Sequence, residues 1–185
     1  MPSVVAISGS PSERSKTSGV ADYVLCRIAA RGGEVTHVRV REMPAEALLR
    51  GDTENPAIAD AVVALARADG VVIATPTYKA AYSGLLKVFL DLLPQCALAG
   101  KVVLPLATGG SIAHVLALDY GLRPVLQSLA PRQVMQSYFL LEGHLDMNGD
   151  SFSIQQDPER ILNTILDDFW HALLISRPAQ AVEAG

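Results

Sequence analysis

The apolar positions fall into short continuous runs that alternate with stretches repeating every three to four residues. Residues 4–8 form an unbroken apolar run ending in Ser8, as a strand covered on both faces should. Residues 17–31 follow with Val20, Val24 and Ile28 at helical spacing, and Gly32-Gly33 is the stop. Residues 34–40 read as a second strand. Residues 55–68 place Ile58, Val62 and Leu65 on one helical face ahead of a third strand at 70–75. Residues 83–93 read as a helix capped by Ser83, with Leu86, Phe89, Leu90 and Leu93 inward. The fourth strand, 101–107, contains Pro105, whose missing N–H predicts a bulge or irregular end there. A long helix over 113–129 and a fifth strand over 133–140 come next. Asp157-Pro158 opens the last helix, aspartate as N-cap and proline at the first helical position, with Ile161, Ile165 and Phe169 as its apolar stripe. The small polar tail beyond Ser176 is expected to fray.

Five strands separated by helices imply parallel pairing through right-handed crossovers. The expected fold is α/β, a flavodoxin-like doubly wound five-stranded parallel sheet of order 2-1-3-4-5. It forms a single domain over residues 1–175, with 176–185 as a flexible tail. With half of its 185 residues hydrophobic and 18% charged, the chain can build a core, which excludes wholesale disorder. A net charge of −4 is too mild for the basic surface of a general nucleic-acid binder, and it lacks the acid excess of a small electron carrier. No apolar run approaches a membrane span, and the start of the chain has no basic region ahead of Val4–Ile7. Cys26 and Cys96 belong to no CxxC or Cys/His cluster. They read as two buried free thiols, which fits a reducing cytoplasm.

Ligands of such sheets bind at the carboxyl ends of the strands beside the switch in strand order, which singles out the loops after strands one, three and four. The first, Ser8 to Gly19, gathers five serines and one threonine around Arg14 and Lys16 where a helix begins. Exposed N–H groups and the positive end of the helix dipole favour an anion there, and hydroxyls bind phosphate without adding charge. The spacing is neither a P-loop nor a dinucleotide fingerprint. The alternative is a solvated loop in which Thr17 or Ser18 caps the helix. The second loop, from Pro76, Thr77, Tyr78 and Lys79 through Ala80, Ala81 and Tyr82, suits a flat aromatic guest or half-buried packing of the tyrosines. Lys87 and Asp91 beyond it form a helix-surface pair or an interface contact. The third loop, Thr108-Gly109-Gly110-Ser111, lets backbone donors approach a ring system, as a flavin needs when its reduced form carries negative charge, or is simple turn chemistry.

Together these residues resemble a known family. Gly9-Ser10-Pro11, the Ser15/Thr17/Ser18 cluster, Pro76-x-Tyr78 with Gly84-x-x-Lys87-x-x-x-Asp91, and Thr108-Gly109-Gly110 look like the NADPH-dependent FMN reductases. The segments ATPTYKAAYSGLLK and KVVLPLATGGSIAHVLALDYGLRPVL are most similar to those members that serve bacterial alkanesulfonate monooxygenase systems. The likeness runs over roughly residues 3–175. The first loop departs from the broader family in having Ser12 where arginine is usual and Thr17 where asparagine is usual. The resemblance implies FMN and NADPH as cofactors, hydride transfer between them, and release of reduced flavin to a partner sulfonate monooxygenase. It assigns Ser10, Arg14, Ser15, Thr17 and Ser18 to the FMN phosphate, Pro76, Thr77, Tyr78 and Lys79 to the ring, and Thr108, Gly109, Gly110 and Ser111 to its pyrimidine side. It also implies a cytoplasmic dimer or tetramer.

Gly121 and Pro124 sit close together inside the predicted long helix. An interior proline clashes with the carbonyl four residues back, here that of Tyr120, and a wide π-type turn around 119–121 relieves it. A plain proline kink is the alternative. The sulfonate-type reductases carry an inserted tyrosine in this helix at a subunit interface, and Tyr120 is the matching position. Because cofactors carry the electron chemistry, no side-chain acid or base is expected, and no hydrolytic Ser/His/Asp set. The four histidines are scattered and read as structural or exposed. Arg14, Lys16 and Lys79 are the cations best placed for NADPH phosphates. Asp146-x-Asn148-x-Asp150 departs from a calcium loop at its glycine and its last ligand. Two rival functions stand beside the main one: a quinone, azo-dye or chromate reductase that retains FMN, and a flavodoxin-like electron carrier.

Overall fold

A computed structural model describes residues 1–149 and 151–176. Strand β1 (Ser3–Ser8) leads into α1 (Lys16–Ala29), β2 (Glu34–Arg39), α2 (Ala45–Arg50) and α3 (Pro56–Arg67). Next come β3 (Gly70–Tyr78), the short β4 (Ala81–Tyr82), α4 (Gly84–Asp91) and β5 (Val102–Gly109). A π-helix (Ala117–Leu122) runs into α5 (Arg123–Ser128), followed by β6 (Gln133–Val134) and β7 (Tyr138–Leu141). The pair β8 (Leu145–Asn148) and β9 (Ser151–Ile154) precedes α6 (Gln156–Ser176).

The main sheet runs β2-β1-β3-β5-β6 with every neighbour parallel. Because β4 is only a hairpin partner of β3, and β6 and β7 share one edge of β5, this is the expected 2-1-3-4-5 order. The fold is flavodoxin-like. Alternation along β1 explains its continuous apolar run: Val5 and Ile7 enter the core layer under α3 and α4, while Val4 and Ala6 enter the layer under α1 and α6. Phe89 anchors the first layer and Phe169 the second, both fully buried.

The predicted fifth strand is broken in two. Val103 pairs with Val134 and Leu106 with Tyr138, so three steps along β5 face four along the edge, an inserted residue. Met135 N–H donates to Val103 O at 2.8 Å, so odd-numbered residues of β5 turn their backbone groups toward this edge. Pro105 therefore presents its missing donor there. Its consequence appears in the partner strand, while β5 itself stays unbroken. The Arg123 guanidinium donates to Val134 O, Met135 O and Ser137 Oγ at 3.2, 2.9 and 2.9 Å, which satisfies the disrupted segment.

The predicted long helix is likewise three pieces: a 3₁₀ turn at Ile112–His114, the π-helix, and α5. The backbone N–H of Arg123 reaches Leu118 O, five residues back, which is the wide turn expected ahead of Pro124. Helix α6 starts earlier than expected, since Glu159 N–H already bonds Gln155 O and Asp157 lies inside the first turn. Both cysteines are exposed, contrary to expectation. Cys26 stands two positions past the buried Val24, across the helix from the core line, and Cys96 lies in the connection after α4. Asp146 and Asn148 belong to the β8/β9 hairpin, while Asp150 and the expected tail at 177–185 lie outside the described residues. No helix among the described residues is long and apolar enough to cross a membrane.

Candidate functional site

The first loop is held on two sides. Gly9 N–H donates to Ala74 O at 2.9 Å, and its carbonyl accepts from Ser83 Oγ at 2.5 Å. Ser83 Oγ also caps α4 by accepting from Leu86 N–H at 3.1 Å. A Cβ at Gly9 would meet Leu86 Cβ at 2.5 Å, so the loop crosses the start of α4 where no side chain fits. Helix α1 is capped by Ser15, whose Oγ accepts from Ser18 N–H at 3.0 Å, in place of the two caps weighed from sequence. Ser10, Ser15, Thr17 and Ser18 are all buried around this helix start, and its first turn contains no acidic residue. Arg14 is exposed beside them. Lys16 turns its ammonium to Glu142 O at 2.7 Å.

The second loop is a hairpin. Thr77 pairs with Tyr82 and Tyr78 with Ala81, leaving Lys79 and Ala80 at the corner with φ of +50° and +61°. Two left-handed residues in succession are the mark of a type I′ turn, ordinarily built from Asn-Gly. Sequence alone gave no such signal, because neither corner residue is a glycine or asparagine. Thr75 Oγ1 accepts from Ser83 N–H and donates to Pro76 O, both at 2.9 Å, which locks the hairpin base to the helix cap. Pro76 is buried, Tyr78 is 49% exposed, and Thr77 Oγ1 is buried without a hydrogen-bond partner among the described residues.

The third loop joins the first directly. Thr108 Oγ1 and Thr17 Oγ1 lie 2.6 Å apart, both buried. A Cβ at Gly109 would meet Phe139 Cζ at 2.7 Å, whereas nothing lies within 4 Å of one at Gly110, which faces open space. Ser111 is exposed and accepts from Ala113 N–H at 3.2 Å. The Thr17–Thr108 contact brings the loops together at one sheet edge. There the first two border a cleft of about 280 Å³ at Ser10, Arg14, Ser15, Thr17, Pro76 and Tyr78, while Ser18, Thr77, Lys79 and Thr108 to Ser111 do not line it. Tyr120 stands apart from that cleft, 79% exposed on the π-helix, whose Gly121 abuts the Tyr82 ring of the hairpin.

Beneath the first loop runs a hydrogen-bond chain that the scattered histidines did not reveal. His37 Nδ1 lies 2.7 Å from Asp22 Oδ1, and Nε2 lies 2.8 Å from Ser8 Oγ, which accepts from Ser18 Oγ at 3.3 Å. A carboxylate only accepts, so Nδ1 carries the proton and Ser8 donates to Nε2. Burial lowers the His37 pKa below its ordinary 6.5, against the opposing pull of Asp22. Ser8 is 1% exposed, so this array orients hydroxyls and offers no accessible nucleophile. Lys87 and Asp91 form a surface pair at 2.6 Å on α4, outside the cleft.

The model of the NADPH-dependent FMN reductase family matches residues 2–146. A curated relative named FMN reductase (NADPH) from Escherichia coli K12 is 40% identical over 170 residues, 92% of this chain and 89% of its own length. One of the same name from Pseudomonas putida KT2440 is 42% identical over 177 residues, 95% of this chain and 89% of its own. The apo structure of the NADH:FMN oxidoreductase EMOB is 47% identical, with a TM-score of 0.85, covering 98% of this chain and 92% of that one. Sequence and fold agree along nearly the whole length, and the chain belongs to the NADPH-dependent FMN reductases, a family of flavin-using oxidoreductases.

Proposed function

We propose that this protein reduces FMN with NADPH, treats FMN as a diffusible substrate, and hands the reduced flavin to a flavin-dependent alkanesulfonate monooxygenase. The observation that carries the first part is the meeting of the three loops: buried hydroxyls of Ser10, Ser15, Thr17 and Ser18 at a helix start free of acid, beside a half-exposed Tyr78. This donor set fits a phosphate, and the glycine at position 9 keeps the loop where a side chain would displace it. Ser10, Arg14, Ser15, Thr17 and Ser18 would hold the phosphate. Pro76, Thr77, Tyr78 and Lys79 would line the ring, and Thr108 to Ser111 would turn backbone donors toward its pyrimidine side. Bound flavin supplies the hydride-accepting chemistry, while the chain supplies orientation and electrostatics.

Diffusible use of FMN is supported by the sequence likeness to members that serve monooxygenase systems. The sulfonate partner is supported by the sequence likeness over 74–87 and 101–126. Self-association is supported by an exposed apolar stripe on and before the π-helix, Ile112, Val115, Leu116 and Tyr120, continuous with the hairpin through Gly121 and Tyr82. On this reading Tyr120 stacks across the interface between copies and tunes how readily flavin leaves. Removing it retains FMN through purification and abolishes turnover of free flavin, and unchanged turnover would contradict the role.

The test is NADPH oxidation measured against free FMN concentration, with the flavin content of the purified protein recorded. Saturation in free FMN by protein that purifies with little flavin is expected. Stoichiometric flavin with turnover independent of added FMN would identify a flavin-retaining quinone, azo or chromate reductase. Negligible NADPH oxidation would identify an electron carrier.

A further inference from the structure

A second and larger cavity, about 680 Å³, lies on the β2 side of the first loop. Arg14 and Ser15 border both it and the cleft described above, so the two share one wall. Its other polar walls are Arg39 and Arg41 at the end of β2, Asp22 on α1, and Glu13 and Glu42. Phe152 of β9 closes one side, packed so tightly on α1 that a Cβ at Gly19 would meet its ring at 2.5 Å.

The charges in this cavity are unequally spent. Arg39 is paired with Asp22, its Nη2 bonding both carboxylate oxygens at 2.8 and 3.0 Å. Arg41 touches Glu42 through Nη2 alone, at 3.3 Å, and its Nε is buried without a partner among the described residues. A buried guanidinium donor without an acceptor is costly and calls for one. Arg14 forms no ion pair among the described residues. The Arg41 guanidinium, with donors to spare, suits the fork geometry of a phosphate. The carboxylate of Glu13 suits ribose hydroxyls, and the Phe152 ring suits a purine.

We propose that this cavity receives the adenosine end of NADPH, with the 2′-phosphate on Arg41, and that Arg41 sets the preference for NADPH over NADH. The proposal rests on the reading of the chain as an FMN reductase driven by a nicotinamide dinucleotide. It makes the cofactor choice a property of the β2 end, separate from the flavin phosphate site across the shared wall.

Two measurements on the full chain test it. In the unaltered protein, 2′-AMP should compete with NADPH at concentrations about tenfold lower than 5′-AMP, since only the former carries the discriminating phosphate. In Arg41→Gln, kcat/KM for NADPH should fall about tenfold or more while that for NADH stays within about twofold, and Arg41→Lys should recover part of the loss. Equal inhibition by the two nucleotides would overturn the proposal, as would an unchanged NADPH to NADH ratio in a folded Arg41→Gln. Competition of 2′-AMP with FMN in place of NADPH would overturn it too, by returning the cavity to the flavin. If Arg41→Gln does not fold, the nucleotide comparison decides alone. Absence of FMN reduction with either dinucleotide would instead sink the underlying reading, and calorimetric preference for 2′-AMP would still bear out the site.

Discussion

Thr17 Oγ1 and Thr108 Oγ1 share a 2.6 Å hydrogen bond in a buried setting, and through it the first turn of α1 is tied to the end of β5. The two loops assigned to opposite ends of the flavin are therefore one mechanical unit. Replacing Thr108 with valine leaves the Thr17 hydroxyl buried and unpaired, and should cost about 1–3 kcal/mol in urea unfolding. The double variant Thr17→Val with Thr108→Val removes both groups at similar volume and should recover most of that loss. Additive losses would show that the hydroxyls do not act as a pair.

At Gly9 the loop crosses α4 so closely that a methyl group would lie 2.5 Å from Leu86 Cβ and 3.1 Å from Leu86 Cα. Gly9→Ala should therefore destabilise by about 1–3 kcal/mol, the range for overpacking, and should weaken FMN binding as well. Thermal unfolding and flavin titration of the same preparation check both.

The hairpin corner carries strain that its sequence does not relieve. Lys79 and Ala80 both occupy left-handed backbone, at φ of +50° and +61°. Each non-glycine residue there costs about 1–2 kcal/mol. Lys79→Asn with Ala80→Gly supplies the preferred pair for this turn and should raise stability by about 1 kcal/mol, read as a higher unfolding midpoint.

His37 gives the protein a predictable acid response. Its folded-state pKa is lowered, chiefly by burial, so below about pH 6.5 the unfolded chain takes up a proton that the folded chain resists. Its contribution to stability is present in full above that pH and is lost as the pH falls toward the folded value. Thermal midpoints measured between pH 7.5 and about 5 should fall less steeply in His37→Gln than in the parent. Equal slopes would assign the acid sensitivity to other groups.

Much of this was legible in the residues, for identifiable reasons. Val4 to Ile7 announced a doubly covered strand because every one of those side chains is buried. Pro124 announced the wide turn because the steric rule acts within one helix. What stayed hidden depended on distant partners. The break between β6 and β7 reflects Pro105 on a neighbouring strand and Arg123 on the preceding helix. His37 draws its meaning from Asp22 and Ser8, which only the β1–α1–β2 crossover brings within reach. Residue type alone does not set exposure at the cysteines: Cys26 stands across α1 from the buried line, and Cys96 lies in the connection after α4.

The central claim is that the hydroxyl-rich start of α1 clasps the phosphate of FMN. Calorimetric titration of the chain with FMN and with riboflavin, which lacks that phosphate, addresses it most directly. The account predicts FMN binding at least about tenfold tighter than riboflavin. Equal affinities, or no association of FMN in either oxidation state, would contradict it.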